Sequence, residues 1–224
     1  MSELTVWCVC VGTKYNTAYV YALKEMVEKY LTVPHTFKCI TTTKLPGIVT
    51  VLPFAPYQGW WSKLNLFTPR MATGPSIYLD LDVVITKNID YLTDYVDSFS
   101  APSNWAQSGH GGIQSSVMVW PGNWYEPFEK FDYVVDSERL WGDQEFLWEL
   151  LGDNWNRIPH VGSYKYHVRP AGIIPEDLAI LAFHGLPDPH EVTDQCLLPF
   201  TSTLRSLIKS STDKSCSPGS NGTA

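Results

Sequence analysis

The chain has 224 residues, of which 44% are hydrophobic and 17% charged, with a net charge of −7. This composition is globular and excludes a wholly disordered chain, and no run approaches the roughly 18 consecutive apolar residues that a membrane helix needs. A domain of this length buries on the order of 70% of the surface its unfolded form exposes, so it needs no disulfide staples. The acidic balance argues against nucleic acid as a partner, because grip on phosphates wants a basic surface.

Residues 4–11 are a short, mostly apolar, valine-rich run ending at Gly12-Thr13-Lys14-Tyr15-Asn16, the pattern of a buried strand entering a loop. From Thr17 the period becomes helical, with Val20, Leu23 and Val27 on one face. Residues 35–40 and 48–52 predict two further strands between turn formers at Pro34, Pro46-Gly47 and Pro53. Alternating strand and helix favours an α/β layer structure with a mostly parallel central sheet flanked by helices.

Residues 60–67 predict a short helix presenting Lys63, and residues 76–85 predict one strand whose apolar body is interrupted by Asp80 and Asp82. Further on, the pattern predicts a strand over 113–120, an aromatic helix over 124–135, a helix over 143–151 and a buried strand over 178–183 ending at His184-Gly185. Gly109-His110-Gly111-Gly112 reads as a loop able to close over a ligand. Residues 1–209 read as a single domain and 210–224 as a flexible, Ser-rich tail.

Five cysteines without CxxC spacing, and an N-terminus lacking a secretion signal's layout, point to reduced thiols and a cytoplasmic location. Among the nine tryptophans, Trp60, Trp61, Trp105, Trp124, Trp141 and Trp155 could each supply a sugar platform, although core or rim packing is the commoner use of such a ring.

The two acids carry the chemistry. Residues two apart on an extended backbone project to one side, so Asp80 and Asp82 share a face, where a hard divalent cation (Mn²⁺ or Mg²⁺) would relieve their repulsion and desolvation. Such an ion would also let an acidic protein hold a diphosphate. A neutral imidazole could complete the set, and both His184 and His190 are open to that role. No GxxxxGK[ST], GxSxG or HExxH motif competes with this reading.

In order along the chain, Gly12-Thr13-Lys14-Tyr15, Lys63, Tyr78-Leu79-Asp80-Leu81-Asp82, Gln114-Ser115-Ser116, Gly142-Asp143-Gln144 and Phe183-His184-Gly185 resemble the motifs of glycogenin-like glycosyltransferases. These belong to glycosyltransferase family 8 and have the nucleotide-diphospho-sugar transferase (GT-A) fold. The resemblance spans roughly residues 4 to 192. It implies transfer of a sugar from a nucleotide-sugar donor, UDP-linked, to an acceptor, with retention of anomeric configuration. It also implies that Val11, Gly12, Thr13 and Tyr15 surround the nucleoside, and that Asp80, Leu81 and Asp82 with His184 and Gly185 meet the metal and diphosphate. Asp80, Asp82 and His184 would then be the metal ligands. Gln114 and Ser115 would lie near the donor sugar, Lys63 would support the donor side, and Asp143 and Gln144 would orient the reacting groups.

Three positions depart from the family pattern. Asp188 stands where a lysine would meet the diphosphate, Gln114 replaces an asparagine, and Leu140 replaces an acid. Two alternatives share the carboxylates and the fold: a nucleotide-sugar-binding module without turnover, and a metal-dependent nucleotidyltransferase. The acceptor, the donor sugar and the oligomeric state are not legible.

Overall fold

The computed structural model describes residues 3–71, 73–105 and 111–215, the last five by backbone alone. Its strands are β1 (Leu4–Cys10), β2 (His35–Thr41), β3 (Val49–Val51), β4 (Ser76–Leu79), β5 (Val83–Ile85), β6 (Ser100–Ala101), β7 (Val117–Trp120), β8 (Asn156–Arg157), β9 (Val161–Ser163) and β10 (Ile180–Ala182). Seven of them form a mostly parallel sheet in the order β3-β2-β1-β4-β7-β6-β8, and β5-β10-β9 form a smaller one. β1 pairs in parallel with both β2 and β4, which explains its near-continuous apolar sequence: both faces and both edges are covered.

Helices cover both faces of the large sheet. α1 (Ala18–Tyr30) buries Val20, Leu23 and Val27, as their spacing predicts, and packs with the last helix, α5 (Leu198–Ser215), on one face. The other face is an aromatic-rich layer under the 3₁₀ helix Gly59–Phe67 and α4 (Asp143–Leu151), built around Trp7, Trp61, Phe67, Trp120 and Phe146. The large aromatic content is consumed mainly here.

Three expectations are corrected. The predicted strand 76–85 is two strands in different sheets: β4 ends at Leu79, the chain turns through Asp80-Leu81-Asp82, and β5 joins β10 in the small sheet. The turn is fixed by the Asp80 amide donating to the Ser116 carbonyl at 2.8 Å and the Val83 amide donating to the Asp80 carbonyl at 3.3 Å. Strand 113–120 begins only at Val117, because the Gln114 side chain folds back to accept from the Ser116 amide at 2.6 Å and makes a turn there.

The aromatic helix 124–135 divides into α2 (Glu126–Lys130) and α3 (Tyr133–Arg139). Asp132 is the cause: its carboxylate caps α3 by accepting from the Val134 and Val135 amides. The last helix, α5, runs by backbone as far as Ser215, with the buried Leu204 and with Leu207 and Ile208 packed against the core upstream of the Ser-rich segment. Residues 106–110, which include Gly109 and His110 of the predicted closing loop, and 216–224 lie outside the described residues. Among the described residues no helix is long and apolar enough to cross a membrane.

Candidate active site

A cleft of about 530 Å³ opens beyond the carboxyl ends of β1 and β4, between the two sheets, the place where open α/β sheets hold ligands. Four carboxylates, Asp80, Asp82, Asp143 and Glu145, face it, against the two lysines Lys14 and Lys63.

Lys63 is the hub. Its ammonium lies 3.1 Å from the Asp80 carboxylate and 3.5 Å from Asp143, and donates to the Ser115 hydroxyl at 3.2 Å. Burial alone would pull its pKa down, but the neighbouring Asp143 and Asp80 carboxylates outweigh that and hold it above its ordinary value. The sequence delivers this through three elements: the 3₁₀ helix carries Lys63, the inter-sheet turn carries Asp80, and the first turn of α4 carries Asp143. Asp143 is not the helix cap; Gly142 occupies that position in extended conformation and leaves the Asp143 carboxylate free to turn inward. Burial raises the Asp143 pKa, opposed by Lys63 and the Ser115 hydroxyl. One of its oxygens, Oδ2, is buried and has no hydrogen bond among the described residues, although Lys63 is close.

Asp82 sits apart from that hub. It is 5% exposed and accepts from the Tyr15 hydroxyl at 2.5 Å. Burial, reinforced by the charge of Asp80, lifts its pKa to about 7, with the Tyr15 hydrogen bond acting the other way. Two carboxylates two residues apart in one turn, Asp82 buried and Asp80 partly exposed to the cleft, form an oxygen donor set of the kind a hard dication takes. His184 lines the same cleft, its Nε2 hydrogen-bonded to the Ser163 hydroxyl at 2.7 Å and its ring stacked on Tyr166. Its pKa is lowered, first by burial and then by the charge of Lys165. Among the described residues, however, no three His, Cys, Asp or Glu side chains are grouped closely enough to hold an ion in this arrangement.

Of the predicted residues, Val11, Tyr15, Lys63, Asp80, Leu81, Asp82, Gln114, Ser115, Asp143, Gln144, His184 and Gly185 all line the cleft. Gly12 and Thr13 do not; the wall passes from Val11 to Lys14 and Tyr15, with Gly12 turning the chain at φ +79°. Of the two histidines, His184 lines the cleft and His190 does not; the His190 Nδ1 is 2.6 Å from the Tyr19 hydroxyl. Asp188 does not line the cleft either, and its negative charge is felt by Tyr15 and Tyr19. The polar groups of Gln114 and Ser115 are engaged within the protein, by the Ser116 amide and by Lys63.

Sequence reasoning missed Tyr78, Glu145 and Lys165. Tyr78 donates to Asp80 from the end of β4, two residues before it. Lys165, on a π-helical turn, Tyr164–Val168, does not line the cleft itself, but its ammonium is 3.2 Å from the place a Cβ would occupy on the lining Gly185. Of these, only Tyr78 carried a signal, the i, i+2 spacing to Asp80.

No protein-family model matches the sequence, and no curated protein matches it. Among solved structures, the galactosyltransferase LgtC, in complex with donor and acceptor sugar analogs, is similar over 90% of this chain and 95% of its own, with a TM-score of 0.64 and 14% identity. GlyE, a glycosyltransferase of Streptococcus pneumoniae TIGR4, is similar over 100% of this chain and 66% of its own, with a TM-score of 0.65 and 14% identity. The fold is one shared with GT-A-like glycosyltransferases. The bifunctional glycosyltransferase WbbM is similar too, over 93% of this chain and 51% of its own, with a TM-score of 0.60 and 10% identity. The chain thus spans about two thirds of GlyE and half of WbbM.

Proposed function

We propose that this chain is a metal-dependent glycosyltransferase that moves a sugar from a UDP-linked donor to an acceptor hydroxyl with retention. The observation that carries the reading is the placement of Asp80, Asp82, Lys63 and Asp143 around one cleft at the carboxyl ends of β1 and β4. The likeness in fold to LgtC, whose structure holds donor and acceptor sugar analogs, supports it. So does the charge of the cleft, since an acid-rich wall admits a diphosphate only together with a cation.

Asp80 and Asp82 would hold Mn²⁺ or Mg²⁺, with His184 as the nitrogen ligand, and the ion would supply charge neutralisation for the diphosphate as it leaves. In the transfer, the bond from the anomeric carbon to the diphosphate oxygen breaks and one to the acceptor oxygen forms on the same face; the acceptor proton passes to the departing diphosphate. Lys63 places a fixed positive charge where negative charge develops on the leaving group, and it needs no reorganisation because Asp80, Asp143 and Ser115 already hold it. The inward Asp143 carboxylate faces the positive character that grows on the anomeric carbon. Gln144 lines the wall beside it, where its amide would meet a donor-sugar hydroxyl.

A panel of nucleotide sugars incubated with the protein and Mn²⁺ tests this. The expected result is metal-dependent release of UDP from one UDP-sugar, several-fold above the metal-free control. Release of pyrophosphate instead would make the protein a nucleotidyltransferase, and tight binding without any release would make it a binding module.

A further inference from the structure

The small-sheet wall of the cleft has one more charge behind it than its lining shows. Resting on the reading above, we propose that Lys165 binds the diphosphate of the nucleotide donor from that wall, as a cation separate from Lys63.

The topology brings Lys165 there. β9 and β10 run parallel with Ser163 beside Ala182, so the residues that leave β9 come alongside Phe183, His184 and Gly185 as these leave β10 for the cleft. After β9 the chain does not continue as a strand but makes the π-helical turn, a rare element that keeps Lys165 and Tyr166 close to that exit. The Ser163 hydroxyl accepts from the Tyr166 amide at 3.4 Å and is hydrogen-bonded to His184 Nε2 at 2.7 Å, while the Tyr166 ring stacks on the His184 ring. The ammonium of Lys165 then lies beside Gly185, where a side chain would meet it at 3.2 Å and where a φ of +68° favours glycine in any case. Glycine at this position leaves the ammonium next to the cleft lining.

Charge indicates what the ammonium serves. Lys63 is committed to Asp80 and Asp143, and the Lys14 ammonium lies over the Tyr15 ring, 4.5 Å from its centre. Lys165 is half-buried and makes no ion pair and no hydrogen bond among the described residues. Its field nevertheless reaches the wall, since it helps to lower the His184 pKa. The cleft already has more carboxylates than lysines, so an entering diphosphate meets repulsion that an unpaired cation on the small-sheet side offsets. An ammonium is a compact point charge with three rotatable donors, which suits phosphate oxygens without demanding one fixed geometry. The uncharged parts of a nucleotide sugar would gain little from it. As the diphosphate leaves and gains charge, the same contact strengthens.

Calorimetric titration of UDP and of UMP into the full chain with Mn²⁺, for wild type, Lys165→Met, Lys165→Gln and Lys165→Arg, tests the proposal. Both neutral variants should bind UDP about tenfold more weakly, the loss of one charge-assisted contact, and should lose less for UMP. Lys165→Arg should keep most of the affinity. Added salt should weaken UDP binding more in the wild type than in the neutral variants. Circular dichroism and the unfolding midpoint should be unaltered, because the ammonium has no protein partner to lose. Equal UDP affinity in the wild type and both neutral variants overturns the proposal. An equal loss for UDP and UMP, or a loss that Lys165→Arg shares in full, overturns it too, since Lys165 would then only support the wall. Failure of the wild-type protein to bind UDP at all would instead remove the glycosyltransferase reading beneath it.

Discussion

The wall of the cleft that belongs to the large sheet and the wall that belongs to the small one are held in different ways. On the first, Lys63, Asp80, Tyr78, Ser115 and Asp143 interlock in a buried network in which most polar atoms already have partners. On the second, His184 has one hydrogen bond to Ser163 and a stacking contact with Tyr166, and Gly185 turns the chain at φ +68° beside Lys165. The comparison teaches where rigidity resides. The charged groups of the first wall are fixed by burial and mutual pairing, while the second wall has fewer polar ties among the described residues.

The largest effect should come from breaking the tight wall. Lys63→Met leaves Asp80 and Asp143 without their shared cation, and removing one partner of a buried charge cluster costs about 3–5 kcal/mol. Denaturant unfolding should register that loss, and UDP release should fall at least a hundredfold. Adding Asp143→Asn to Lys63→Met should recover part of the stability without recovering turnover. Full stability in the single variant would mean that the network does not hold the wall.

The loose wall should yield a smaller and more selective response. His184→Ala should weaken Mn²⁺ binding about tenfold, with a change in unfolding free energy of about 1 kcal/mol for the lost Ser163 contact. His190→Ala should do the reverse, lowering stability by a similar amount through the Tyr19 contact and leaving Mn²⁺ affinity untouched. An Mn²⁺ defect confined to the His190 variant would transfer the ligand role away from the cleft.

Much of this site was legible because its residues follow strong local patterns. β1, the Lys63 helix, α4 and the buried strand before His184 are each defined by hydrophobic period and flanking turn formers, and their ends place the polar residues. What the pattern could not convey was tertiary. Asp80 and Asp82 read as alternate positions on one strand, because valines and isoleucines continue past them; only pairing with Ser116 on one side and β10 on the other splits that run between two sheets. Asp132 looked like one polar residue in an aromatic helix until its capping of α3 divided the segment. Lys165 lies far from every recognised motif and comes beside Gly185 through a π-helical turn that leaves no simple period. That His184 lines the cleft and His190 does not also needed the fold, since both follow the same strand.

The central claim is that the Asp80-Leu81-Asp82 turn couples a dication to a nucleoside diphosphate. It is tested most directly by calorimetric titration of UDP into wild-type protein and Asp82→Asn, each with Mn²⁺ and with EDTA. The account predicts UDP binding that requires Mn²⁺ in the wild type and is weakened at least tenfold in a variant whose circular dichroism is unchanged. Equal UDP affinity in the two proteins, or binding indifferent to EDTA, would contradict it.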